Sequence, residues 1–264
     1  MAKKKKGRRG LRALLFALLG LALAVFINFI PTFRLKTPSM RELPGKHAVV
    51  HYEREEDAAR DVFALAEAQG GDLKEQLGIE GDKAVNIYLY DRQSTLQTKK
   101  YGFAAALLGL DWYIGDNVGD NALLVSPGGE YAVHGYEDVR QAALHEMVHA
   151  YNYHINPRMP YWIDNGVAGW LSGQTPNMYW ERMRLPSLKD TRVFGLLSPV
   201  RFARFDGYAF SYMYIKYLAD TYGWDAVRTL LHTGDYPAAF GVGEEAIYEN
   251  WANYMAQSYG VTGN

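Results

Sequence analysis

Residues 13–30 are a run of eighteen residues without a charge, broken only by Gly20 and Asn28. As a helix the run spans ~27 Å at ~1.5 Å per residue, close to the ~30 Å hydrocarbon core of a bilayer. It has no polar face to meet water, so a buried helix of a soluble core is a poor fit. Seven basic side chains (Lys3, Lys4, Lys5, Lys6, Arg8, Arg9, Arg12) and no acidic one precede it. Such clusters stay on the cytoplasmic side, which directs the rest of the chain outward. Ala22-Leu23-Ala24 could serve as a cleavage site and release a secreted protein. The apolar run continues past it to Ile30, which suits a signal anchor better. The expected organisation is a basic cytoplasmic tail (1–12), a transmembrane signal anchor in the lipid bilayer (13–30), a linker (31–46) and an extracytoplasmic domain (47–264). The linker, PTFRLKTPSMRELPGK, holds three prolines and no helix or strand period, and reads as a stalk.

Without the seven leading cations, the chain from residue 13 carries 21 basic against 29 acidic groups, a net charge of −8. A body of that sign repels polyanions, so nucleic acid is not an expected partner. The chain has no cysteine, which excludes a disulfide scaffold and a cysteine-ligated zinc finger.

Within the body, HAVVHY (47–52) reads as a strand and 53–77 as a helix, with Ala58, Val62, Phe63, Leu65, Ala66 and Leu73 at helical spacing. AVNIYLY (84–90) is the clearest strand, 93–101 a short helix, and NALLVS (121–126) a third strand after a glycine-rich passage over 102–120. From residue 137 the pattern is helical almost to the end, with loops near 155–160 and 173–205. The expected fold is α+β: a small mixed sheet with helices, packed on a mainly helical C-terminal half and preceded by one transmembrane helix.

The chemistry-bearing motif is His145-Glu146-Met147-Val148-His149. Residues four apart stack on one face of a helix, so both imidazoles can reach one zinc ion. Glu146, ~100° round the axis, can touch a water bound to that ion. The metal would polarise the water and a substrate carbonyl while Glu146, as general base and acid, takes and returns the proton. The pattern arises by chance in about one shuffled chain in a hundred, so its surroundings matter. Asn156-Pro157 should end this helix.

After that break comes MPYWIDNGVAGWLSG (159–173), and further on YAFSYMYIKYLADTYG (208–223) and an amphipathic helix over 244–259. Together with the strand-helix-strand run before the motif, this resembles the gluzincin zinc metallopeptidases, in which an H-E-x-x-H helix is followed by a P-x-W-x-x-E-G-x-A helix and a Y-x-x-S-x-x-x-x-x-Y-L helix. The resemblance covers about residues 47–258. It implies a thermolysin-like minimal zincin and an endopeptidase acting on a peptide or protein substrate. It also implies one zinc ion held by His145 and His149, and Tyr208 as a hydrogen-bond donor to the developing oxyanion.

One position departs from the pattern. Where the family has a glutamate as third metal ligand, this chain has Asn165, and Gly169 stands where an acidic residue often follows. Three outcomes are open. Asn165 could ligate through its neutral carbonyl oxygen, Asp164 could substitute after a shift of the helix, or the site could hold metal poorly. The last leads to the alternative function, a metallopeptidase-fold ectodomain kept as a binding or regulatory module. His154, five residues after His149 without an intervening turn, does not fit the metzincin pattern. His47, His51, His134 and His232 show no ligand spacing and read as surface or structural residues. An intramembrane protease is excluded because no second apolar span exists and the motif's flanks (Arg140, Gln141, Tyr151, Asn152) are polar.

Overall fold

The computed structural model describes residues 2–110, 112–129, 131 and 133–263, with the backbone alone over 2–9. Met1 and the side chains of the leading lysine and arginine cluster up to Arg9 therefore lie outside the description. Helix α1 (Ala2–Asn28) touches the rest of the chain near its C-terminal end, and its apolar stretch Gly10–Asn28 (mean hydropathy 2.4) is otherwise unburied. By length and composition it can cross a membrane or serve as a signal anchor.

A five-stranded mixed sheet follows. Strands β1 (Arg41–Pro44), β2 (Ala48–Tyr52), β3 (Val85–Tyr90), β4 (Gly115–Val118) and β5 (Asn121–Val125) are ordered β1-β2-β3-β5-β4. The inner pairs β2–β3 and β3–β5 are parallel; β1 and β4 close the two edges antiparallel to their neighbours. The parallel strands are nearly continuous apolar runs because both faces are covered. Helix α2 (Glu56–Leu77) makes the β2–β3 crossover, and α3 (Gln93–Tyr101) follows β3. The long α4 (Tyr136–Ile155) packs beside α2 and against β5. Its start is capped by the Asp138 carboxylate, which accepts the Gly135 N–H. Asn156 and Pro157 end it as the sequence suggests.

The C-terminal half is helical: α5 (Tyr161–Leu171), the short α6 (Leu188–Thr191) and α7 (Ser198–Ala203), then α8 (Gly207–Tyr222), α9 (Trp224–Thr233), α10 (Tyr236–Phe240) and α11 (Glu244–Tyr259). Its core is aromatic. Trp251, fully buried, meets Trp162 of α5 at 5.7 Å and Tyr214 of α8 at 5.3 Å between ring centroids.

Two expectations need correcting. The linker over 31–46 is not a featureless stalk: Ile30–Phe33 is a 3-10 turn, and Arg41–Pro44 pairs with β2 as an edge strand. Its prolines concealed this, but Pro44 sits at a strand end on an edge, where a missing N–H is tolerated. Similarly, the glycine-rich passage holds a 3-10 turn (Phe103–Leu107) and edge strand β4.

The entry to β2 is fastened by one carboxylate. Glu67 of α2 accepts the backbone N–H groups of Lys46, His47 and Ala48 at 2.7–2.9 Å. Partial burial raises its pKa, yet the three N–H bonds outweigh it and leave the group below its ordinary 4.5. Glu67→Ala is expected to lower unfolding free energy by about 2 kcal/mol in urea titration at neutral pH. A depressed folded pKa gives stability that is present above 4.5 and lost as pH falls through the folded value. The gap between wild type and variant should therefore shrink in acid.

Candidate active site

A cleft of about 790 Å³ lies between the sheet's β4 edge and the helical half. All six residues singled out from the sequence line it: His145, Glu146, His149, Asp164, Asn165 and Tyr208. One side is formed by α4, a second by β4 and the residues before it, and a third by the first turns of α5 and α8. His154 is exposed on another face, beside a small hollow lined by Lys74 and Asp120.

The i, i+4 spacing brings the His145 and His149 rings to 4.8 Å between centroids, edge to face. Burial, and then the charge of His149, push His145 well below its ordinary pKa, which keeps a lone pair available at neutral pH. Gln174, just beyond α5, lines the same cleft and partly opposes that downward shift. His149 is controlled from the other side. Its Nδ1 lies 2.8 Å from Asp164 Oδ2, and Asn152 Nδ2 donates to Asp164 Oδ1 at 2.8 Å. Burial opposes a charge on His149, but the Asp164 carboxylate more than offsets it and raises the pKa to about 9. Asp164 thus fixes the ring through Nδ1, so that Nε2 is the nitrogen that would face an ion once its proton is displaced.

Glu146 is buried at the strand edge. Burial raises its carboxyl to about 8, against the pull of His149 and with the help of Asp116. A carboxyl titrating near neutrality is matched to both accepting and donating a proton. Its Oε2 is buried without a hydrogen-bond partner. Gly115 makes this placement possible, since a Cβ there would lie 2.5 Å from Glu146 Oε1 and 3.0 Å from Cγ. Gly115→Ala should therefore displace the carboxylate. The expected result is an activity loss of about a hundredfold with a Tm within a few degrees of wild type.

Tyr208 stands at the start of α8 with its hydroxyl 3.4 Å from that of Tyr161. Burial raises both phenols, so they stay protonated donors. Across the cleft, Asp116 of β4 accepts from Lys100 Nζ at 2.6 Å and from Tyr113 OH, whose oxygen in turn accepts from Tyr101 OH at 3.3 Å.

Asn165 is almost fully buried, and its Nδ2 donates to the Tyr161 carbonyl at 3.0 Å. It is neither a helix cap nor a carboxylate substitute, and only Oδ1 is left to act. Asp164 is already engaged by His149 and Asn152. Among the described residues, no three His, Asp or Glu side chains converge on one ion position. Were an ion to bind here, His145 and His149 would be the side chains to hold it, and Asn165 Oδ1 would be a neutral oxygen lining the same cleft.

The sequence reading missed Gly115, Asp116, Lys100, Tyr161 and Gln174. The first two lie in the glycine-rich passage, where no hydrophobic period marks the edge strand. His134, read as structural, lies at the cleft rim with its Nε2 3.1 Å from the Trp112 carbonyl. His232 and His51 do serve structure, reaching the Leu77 carbonyl and Asn86 Oδ1 respectively. Comparison of the chain with known protein families, with curated proteins and with solved structures gives no match.

Proposed function

We infer that this protein is a membrane-anchored, outward-facing zinc endopeptidase of gluzincin type, with a thermolysin-like minimal fold. The observation that carries the reading is the alignment on one cleft wall of two imidazoles and a buried carboxyl of raised pKa, with one imidazole oriented by Asp164. His145 and His149 would hold the zinc ion, which would supply Lewis acidity toward the scissile carbonyl and the attacking water. Glu146 takes the proton of the attacking water and delivers it to the leaving amine. The Tyr208 hydroxyl, with Tyr161 beside it, donates to the oxygen that gains charge in the tetrahedral transition state. Gly115 leaves room for Glu146 and ends the wall against which an extended peptide would lie. Helix α1 holds the domain on the outer side of the membrane, with the basic tail in the cytoplasm.

One observation favours a second reading, a binding or regulatory ectodomain without turnover: the third metal donor is neutral, and Asn165 spends its amide N–H₂ on Tyr161. The full chain, purified in detergent and supplied with zinc, is to be assayed against a mixture of unstructured polypeptides. Cleavage that stops on chelation and returns with zinc supports the peptidase. A zinc-loaded protein that cleaves nothing supports the binding module.

A further inference from the structure

We propose that the groove between the end of α1 and helix α3 is a phospholipid-headgroup site that seats the domain on the bilayer; this rests on the reading of α1 as a membrane anchor. The groove, about 460 Å³, is lined by Ile30, Arg34, Thr95, Thr98, Lys99 and Phe103 among others, and no carboxylate among the described residues lines it. Two cations, four hydroxyl side chains and an apolar rim are the chemistry of a phosphodiester whose acyl chains lie alongside. Burial lowers the Lys99 pKa, and its Nζ donates to the Arg34 carbonyl, which places the ammonium beside Arg34 with further N–H groups to offer an anion. Glu53, whose charge reaches Lys99, is engaged by Thr37 Oγ1 and the Asp91 N–H.

Three contacts set the height of the groove. Asn28, the last residue of α1, donates through Nδ2 to the Tyr101 carbonyl at 3.1 Å and accepts the Ala104 N–H at 2.8 Å. Gly102, at φ 77°, lies so close that a Cβ on it would come 2.2 Å from the Asn28 carbonyl oxygen. No flexible tether separates anchor from domain, so α3 and the Phe103–Leu107 turn share the level at which α1 leaves the hydrocarbon. The side chains at that level suit it: Phe33, Phe103 and Leu107 are 71%, 62% and 86% exposed, and Phe33 lies 6.2 Å from the ring of Phe26 on α1. Apolar groups so exposed beside a spanning helix belong in the headgroup and upper acyl layer. Tyr101 joins this seat to the cleft, its carbonyl holding Asn28 while its hydroxyl reaches Tyr113.

The absence of cysteine makes single labels clean. The full chain with L107C, L19C or D225C is spin-labelled in nanodiscs of phosphatidylcholine, with and without phosphatidylglycerol. Asp225 lies beside the C-terminal end of α2, opposite the end of the sheet that feeds α3. Oxygen should broaden the labels at 107 and 19 more than a water-soluble nickel chelate does, with the reverse at 225. Phosphatidylglycerol should raise the wild-type Tm by several degrees and that of R34Q/K99Q by less than half as much. A label at 107 as water-exposed as that at 225, with 19 in lipid, overturns the headgroup seat and spares the anchor. A label at 19 in water overturns both. An equal Tm gain in R34Q/K99Q also overturns the assignment of the groove.

Discussion

Glu146→Gln should lower peptide hydrolysis by about a thousandfold while leaving the fold and zinc content unchanged. General acid–base catalysis contributes roughly 10²–10⁴ in rate, and the upper half of that span is expected for a group placed to accept one proton and return it. Glutamine keeps the volume and one oxygen against Gly115 but can neither take nor deliver a proton. The carboxyl is not among the proposed metal donors, so zinc binding should persist. Its raised pKa reflects burial first, and removing the ionisable group also removes that desolvation cost. A small rise in Tm should therefore accompany the loss of turnover. Steady-state rates on one peptide, with metal analysis of the same preparation, check both halves. Full activity in the variant would remove the proposed mechanism.

Asn165→Glu should tighten zinc binding by about a hundredfold or more. The side chain at 165 is buried and lines the same cleft as both imidazoles, and its present amide would bring no charge to a divalent cation. A carboxylate one methylene longer gives up the bond to the Tyr161 carbonyl and completes a two-histidine, one-glutamate donor set of the kind zinc enzymes use. The same change buries a charge, so without zinc the variant should be the less stable protein. With zinc in excess, each hundredfold in affinity is worth about 2.7 kcal/mol of stability, and the order should reverse. Competition with a chelator of known affinity and Tm with and without zinc read the two effects separately. An unchanged zinc affinity would mean that residue 165 does not face the ion.

Most of the architecture can be read in the sequence where side-chain periodicity carries it. The parallel strands β2, β3 and β5 and the helices α2, α3 and α4 follow apolar spacing and fall within a few residues of expectation. The two edge strands do not, because an edge strand need bury little. Arg41–Pro44 carries charge and proline, and Gly115–Val118 carries glycine, aspartate and asparagine. That omission cost the site reading most, since β4 supplies the wall that holds Glu146. The motif on α4 is legible because a helix fixes which residues share a face. The parts contributed from elsewhere are not: Asp164 reaches back to His149, Asn152 steadies Asp164, and Gln174 joins His145 in lining the cleft only once the chain is folded. The sequence left open whether Asp164 or Asn165 would stand in for the missing carboxylate. The fold gives Asp164 an orienting task and leaves Asn165 a single free oxygen.

The most direct test is the zinc stoichiometry of the purified full chain, wild type beside His145→Ala and His149→Ala, after equilibration with zinc and removal of loosely held ion. Close to one zinc per wild-type chain is expected, and little in either variant. Equal zinc in all three proteins, or none in the wild type, would contradict it.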